Sequence, residues 1–176
     1  MLWKEAMILV LMGVTGSGKT TIGELLAAET GWRFADADDF HSEANKAKMH
    51  AGIPLTDEDR KPWLAALHQL LLGWYEGGTS GILGCSALKQ SYRDALTPQI
   101  PALNVRFILL EVSRQVLQER LKERKNHYMN PELLQSQLDT LQVTPDLMRV
   151  CAEGPPRKIV EEILDKILTV EGKTTV

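Results

Sequence analysis

The stretch "MILVLMGVTGSGKTTIGELL", residues 7–26, constrains the fold more than any other part of the chain. Six apolar residues, Met7 to Met12, run unbroken into a turn that carries Gly13, Gly16 and Gly18, and Lys19, Thr20 and Thr21 follow. A strand apolar on both faces belongs inside a parallel sheet covered on both sides. The turn matches G-x-x-x-x-G-K-[ST] in full, between a predicted strand and a predicted helix. Glycines let backbone N–H groups converge on phosphate oxygens through φ angles that other residues adopt only at a cost. The helix start then points its positive end at the anion. Lys19 is placed to reach the β- and γ-phosphates, and the Thr20 hydroxyl can ligate Mg²⁺. A chance match in a tight turn is the alternative, and the flanking strand and helix argue against it.

The rest of the chain repeats the alternation. Arg33 to Ala37, Gly81 to Cys85, Val105 to Val112 and Leu147 to Ala152 are predicted as four further strands. Between them, Ile22, Leu25 and Leu26 form one helical face that Gly31 closes, and Trp63, Leu67, Leu70, Leu71 and Trp74 form another. Asn130-Pro131 predicts the start of a helix carrying Leu133, Leu134, Leu138 and Leu141, and Ile159, Val160, Ile163, Leu164 and Ile167 stripe the last one. The expected architecture is a three-layer α/β domain spanning residues 1–176, a parallel sheet of four or five strands with helices on both faces. Residues 41–78 hold helical pattern but no strand, and "LKERKNHYMN" at 121–130 is basic and polar. Both read as insertions over the carboxyl edge of the sheet, where open α/β folds bind ligands.

Composition narrows the partners. A net charge of −3 argues against nucleic-acid or membrane binding through bulk positive charge. The apolar run from Ala6 to Val14 is far short of the roughly 20 residues a bilayer span needs. Cys85 and Cys151 make no metal or redox spacing, which suits a reducing, cytoplasmic setting.

The later strands end "GILGCS" and "FILLEV", with no aspartate at the tip for Mg²⁺, and no N-K-x-D occurs. Carboxylates come instead directly after the second strand, in "FADADDFH". Asp36 and Asp38 alternate, so an extended segment puts both on one face near the γ-phosphate. A helix N-cap cluster is the structural alternative, and Asp39 alone would satisfy it. One acid there can orient Mg²⁺ through water and the other can accept the proton of an attacking hydroxyl, which suits a small-molecule kinase better than a motor or switch. His41 follows the acids directly and is the one histidine expected in the site. Arg60 follows Asp57-Glu58-Asp59, where an anion contact and a solvated pair at a helix start are equal alternatives. Lys89 and Arg93 stand four apart on an expected helical face, with Ser86 as the expected N-cap. Arg120 and Arg124, also four apart, lead into the basic segment and can supply cations over the phosphates.

Together "LMGVTGSGKTTIG", "DADDFHSEANKAKMHAGIPLTDEDRKPWL", "CSALKQSYRD", "RLKERKNHYM" and "LLQSQLDTLQ" resemble the gluconokinases of the small P-loop type, related in fold to shikimate kinase and the nucleoside monophosphate kinases. The resemblance runs from about residue 7 to 143. It implies ATP-dependent phosphorylation of D-gluconate at its terminal hydroxyl, a five-stranded parallel sheet, a helical substrate-binding insertion (about 41–78), a lid (about 121–135), Mg²⁺ and a homodimer. It implies that Gly13, Val14, Thr15, Gly16, Ser17, Gly18, Lys19, Thr20 and Thr21 hold ATP, with Arg120 and Arg124. It also implies Thr20 and Asp36 at the metal, and Lys19, Asp38 and Arg124 in catalysis. Asp38, His41, Arg60, Lys89 and Arg93 are implied at the sugar acid. After Val143, Arg149 stands in the last strand, which lacks the family's usual acidic end. The alternatives are a same-fold kinase for another small hydroxy acid such as shikimate, a nucleoside monophosphate kinase, and a nucleotide-binding module without turnover. "LGCSALK" is not the glycine-rich turn that shikimate kinases carry after the third strand.

Overall fold

A computed structural model describes residues 5–123 and 131–172. The five expected strands form, within one or two residues of their predicted bounds: β1 (Ile8–Met12), β2 (Arg33–Asp36), β3 (Gly81–Gly84), β4 (Val105–Glu111) and β5 (Met148–Cys151). They lie in the order β2-β3-β1-β4-β5, and every pairing is parallel. Because side chains alternate along a strand, central β1 feeds two cores. Ile8, Val10 and Met12 face one, with Trp63, Leu67, Leu71 and Leu96. Leu9 and Leu11 face the other, with Ile22, Leu26, Ile159 and Ile163. All five β1 residues are buried, which explains the unbroken apolar run.

The helices that cover the sheet are α1 (Lys19–Thr30), α3 (Asp57–Glu76), α4 (Gln90–Leu96) and α7 (Pro156–Gly172); α2 (Glu43–His50), α5 (Arg114–Glu123) and α6 (Pro131–Thr140) complete the set among the described residues. The stretch 41–78 contains only α2 and α3, as its pattern predicts. Asp59 welds the two. Its side chain and that of Thr56 form a reciprocal capping box at the start of α3, and its carboxylate also accepts from Lys48 Nζ of α2 at 2.8 and 2.9 Å. Asn45 adds an amide hydrogen bond to the Asp59 carbonyl at 2.9 Å.

One expectation changes. Ser86 does not cap a helix: α4 begins at Gln90 and Lys89 holds the N-cap position. The chain needs residues 85–89 to turn away from the sheet, with Ala87 at φ 44°, before it can wind. Arg149 is compatible with strand structure because β5 is an edge strand. Its guanidinium pairs with Glu111 of neighbouring β4 at 2.6 and 2.9 Å. Of the expected lid, Leu121 to Glu123 end α5 and residues 131–135 start α6, while 124–130, including Arg124, fall outside the described residues.

Candidate active site

The site begins where β1 stops. Gly16 and Gly18 stand at φ 79° and 99°, left-handed values that a side chain would strain. A Cβ on Gly13 would lie 2.8 Å from Ser17 Oγ and 3.0 Å from the Leu110 carbonyl, so this position is closed to other residues by space. The glycines leave α1 with no side-chain cap and no acid in its first turn, the electrostatic arrangement that favours an anion. Lys19 Nζ donates to the carbonyls of Gly13 at 3.0 Å and Val14 at 3.2 Å, so its stem lies along the loop it would serve. Ser17 Oγ is buried without a hydrogen-bond partner among the described residues, an orphan polar atom inside a phosphate cradle.

Thr20 and Asp36 meet across the sheet edge. The Thr20 hydroxyl donates to Asp36 Oδ2 at 2.7 Å, and Asp36 Oδ1 accepts from the Asp38 backbone N–H at 3.0 Å. Asp36 thus caps a 3₁₀ turn, Ala37–Phe40, that carries Asp38 and delivers His41. A hydroxyl and a carboxylate side by side are hard oxygen ligands suited to Mg²⁺, which usually keeps waters and substrate phosphates in its shell. No cluster of three His, Cys, Asp or Glu groups occurs among the described residues, so a dedicated all-protein metal cage is not the design there.

His41 is 7% exposed and stacks on Trp63, with ring centroids 4.3 Å apart and planes 11° off parallel. Trp63 Nε1 donates to the Ala37 carbonyl at 2.7 Å, which ties α3 to the acidic turn. Burial first, then the charges of Arg60 and Lys46, push the His41 pKa down, so the ring is held neutral. Arg60 and Lys89 flank the Tyr92 ring, at 5.4 and 5.2 Å from its centroid. Lys89 Nζ donates to both Asp57 oxygens at 3.1 Å. Arg60 Nη1 lies 3.8 Å from Asp57 and donates to the Leu55 carbonyl at 2.6 Å.

Arg93 lies elsewhere than a shared Lys89–Arg93 helical face would put it. It is 1% exposed, and its Nη atoms donate to the carbonyls of Ala87, Leu88 and Gln142 and to the side chains of Gln90 and Thr144. It clamps the turn after β3 to the segment following α6. Arg120 crosses beneath the phosphate loop. Its Nη1 donates to the Gly16 carbonyl at 3.1 Å and reaches that of Ser17 at 3.4 Å, while Nη2 donates to the Ala152 carbonyl at 2.6 Å. Beside it a cavity of about 340 Å³ is lined by Gly18, Thr21, Arg120, Gly154 and Pro156. A groove of about 1050 Å³ between β5 and α7 is larger but contains none of the candidate site residues. Cys85 is buried under the site, and its thiol is pushed up to about 12 by burial, which rules out a thiolate nucleophile at neutral pH.

Three contributors are not legible in local sequence. Tyr92, Asp57 and Gln137 join the site through contacts across 35 and 122 residues: Tyr92 donates its hydroxyl to Asp57, and Gln137 Oε1 accepts from the Thr15 backbone N–H at 2.7 Å. Gln137 projects from α6, and Leu134 of that helix packs with Val14, Leu88 and Leu117 in a small third core. The phosphate loop and α6, which begins inside the expected lid, are therefore one packed unit.

Comparison with known proteins agrees with this geometry. A family model described as shikimate kinase matches residues 15–168. A probable gluconokinase of Dictyostelium discoideum is 49% identical over 144 residues, covering 80% of this chain and 72% of that one. The chain belongs to the gluconokinase family. A gluconokinase of Gluconobacter oxydans is 43% identical, with 89% of this chain and 88% of that one covered. The crystal structure of a gluconokinase from Sinorhizobium meliloti superimposes with a TM-score of 0.85 at 36% identity, covering 98% of this chain and 97% of that one. Gluconokinases and shikimate kinases share this sheet and its helices, so the fold alone does not separate them. The separation comes from the identities, 43% to the Gluconobacter oxydans gluconokinase against 22% to a shikimate kinase of Aquifex aeolicus, a likeness that shows the fold alone.

Proposed function

We propose that the chain transfers the γ-phosphoryl group of ATP to the terminal hydroxyl of D-gluconate, giving 6-phospho-D-gluconate and ADP. The observation that carries this reading is the Thr20–Asp36 contact, with Asp38 in the turn that Asp36 caps and the Arg60–Lys89 pair on the elements that follow. In this reading, the amides of residues 13–21 and Lys19 hold the ATP phosphates, and Arg120 and Arg124 add positive charge. Thr20 and Asp36 would hold Mg²⁺, and the chemistry that ion would supply is neutralisation of phosphate charge. Asp38 accepts the proton of the terminal hydroxyl as its oxygen bonds to phosphorus and the bond to the ADP oxygen breaks. Arg60 and Lys89 attract the carboxylate at the other end of the sugar acid, His41 supplies a neutral polar contact, and Arg93 supports this pocket by holding the turn that carries Lys89.

The setting expected for such an enzyme is a cytoplasmic homodimer. The family resemblance supports the dimer, and two free cysteines fit a reducing compartment. No helix among the described residues is long and apolar enough to cross a membrane. ADP release with Mg-ATP, compared across gluconate, shikimate, glycerate and AMP, tests the substrate. Gluconate should exceed the others clearly; if another acceptor works while gluconate stays at the buffer rate, the assignment is wrong.

A further inference from the structure

The anion-binding side of the site already contains a carboxylate. Asp57, the first residue of α3, accepts from Lys89 through both oxygens and from the Tyr92 hydroxyl, and it lies within 3.8 Å of Arg60. Two cations and a phenol, from α3, from α4 and from the turn between β3 and α4, thus converge on a side chain that remains 60% exposed. These hydrogen bonds hold the Asp57 pKa below the usual carboxylate range, the Tyr92 bond contributing most, so it is ionised at neutral pH. A favourable charge at the start of α3 does not account for the arrangement. Glu58 and Asp59 share that first turn, and Asp59 makes the capping box, so the helix is served without Asp57. Nor is stability a sufficient reason, since exposed ion pairs contribute little.

We infer that Asp57 is an internal stand-in for the carboxylate of the substrate. It keeps Lys89, Tyr92 and Arg60 together in the free protein and gives them up when a sugar acid arrives. This inference rests on the proposed reading that the acceptor is a hydroxy acid. Its consequence is selective: only a ligand that brings its own negative charge can replace Asp57 on these donors, so a neutral polyol of equal length gains nothing from them. Asp57 also repels the incoming carboxylate until exchange is complete, so the site binds its substrate more weakly than its cations alone would allow.

The test compares the wild-type protein with Asp57→Asn and Asp57→Ser, measuring KM and kcat for gluconate and inhibition by the neutral polyol D-glucitol. The exposure of Asp57 makes folding of both variants expected, and a thermal melt verifies it. In both variants the gluconate KM should fall about fivefold with kcat changed less than about twofold, the size of one exposed ion pair converted to affinity, and D-glucitol inhibition should stay as in the wild type. An unchanged or raised KM overturns the inference, because Asp57 would then be a positioning residue for Lys89 and Tyr92. An equal gain for gluconate and D-glucitol also overturns it, by making Asp57 a steric plug. The wild-type rate with gluconate reports separately on the proposed function: if gluconate is not turned over at all, that reading fails and this inference falls with it, whereas normal wild-type turnover leaves the variants alone to decide.

Discussion

The Thr20 hydroxyl donates to Asp36 Oδ2 at 2.7 Å, fixing the first turn of α1 against the end of β2. The phosphate loop and the acidic turn therefore share one reference point, and the second oxygen of Asp36 orients the backbone of Asp38 at 3.0 Å. Thr20→Val removes the hydroxyl proposed to ligate Mg²⁺ while roughly conserving volume. It should raise the Mg²⁺ concentration needed for half-maximal rate by roughly 10- to 100-fold, as loss of one ligand-shell group does elsewhere. A Mg²⁺ titration of the rate checks this, and an unchanged requirement would remove Thr20 from the metal site.

Asp38→Asn keeps the shape of the side chain and removes the proposed base. Turnover of gluconate should fall by roughly 10²- to 10⁴-fold, the usual worth of a positioned proton acceptor, while nucleotide binding persists. Calorimetric titration with ATP separates the possibilities. Lost binding would assign Asp38 to the nucleotide or to the turn itself.

The weld between α2 and α3 makes a pH prediction. Lys48, then the Thr56 backbone, hold the Asp59 carboxyl at about 2, against an ordinary value of 3.8. A depressed carboxyl pKa adds stability that is complete above pH 3.8 and disappears as the pH falls towards 2. The urea midpoint of the wild type should therefore exceed that of Asp59→Asn by a constant margin at neutral pH, and the margin should shrink through this acid window. A margin independent of pH would mean that Asp59 acts through cap geometry and not through charge.

Gly23 offers a test of packing. It sits inside α1, where alanine ordinarily stabilises a helix by about 1 kcal/mol. Here a methyl group would run into the Phe34 ring of β2, and overpacking of that kind costs about 1–3 kcal/mol. Gly23→Ala should lower the urea midpoint, and pairing it with Phe34→Leu should recover part of the loss. Stabilisation by Gly23→Ala alone would show that α1 can move off the sheet.

The strands and the phosphate loop were legible in the sequence because each depends on local chemistry: unbroken apolar runs, and a glycine spacing with one physical use. Asp36 was legible as an acid at a strand end, but its expected alternation with Asp38 along an extended segment fails, because the chain winds into a 3₁₀ turn at Ala37–Phe40 that Asp36 caps. Arg93 was not legible, because its acceptors Gln142 and Thr144 come from 49 and 51 residues away and no pattern within α4 encodes them. Four-residue spacing suggested a shared helical face with Lys89, but the helix starts one residue too late for that. Gly81 begins β3 as expected, but the reason for a glycine there was not legible: the Trp74 ring fills the space where a Cβ would stand. Such tertiary exchanges of volume and hydrogen bonds leave no periodic trace.

The central claim is that the acidic turn directs ATP chemistry to the far end of a sugar acid whose carboxylate is held near Arg60 and Lys89. Phosphorus and proton NMR of the product formed from gluconate and Mg-ATP tests it most directly. The account predicts a single phosphate monoester whose phosphorus couples to the two protons of the terminal CH₂. An ester on a secondary hydroxyl, or ADP and inorganic phosphate with no ester, would contradict it.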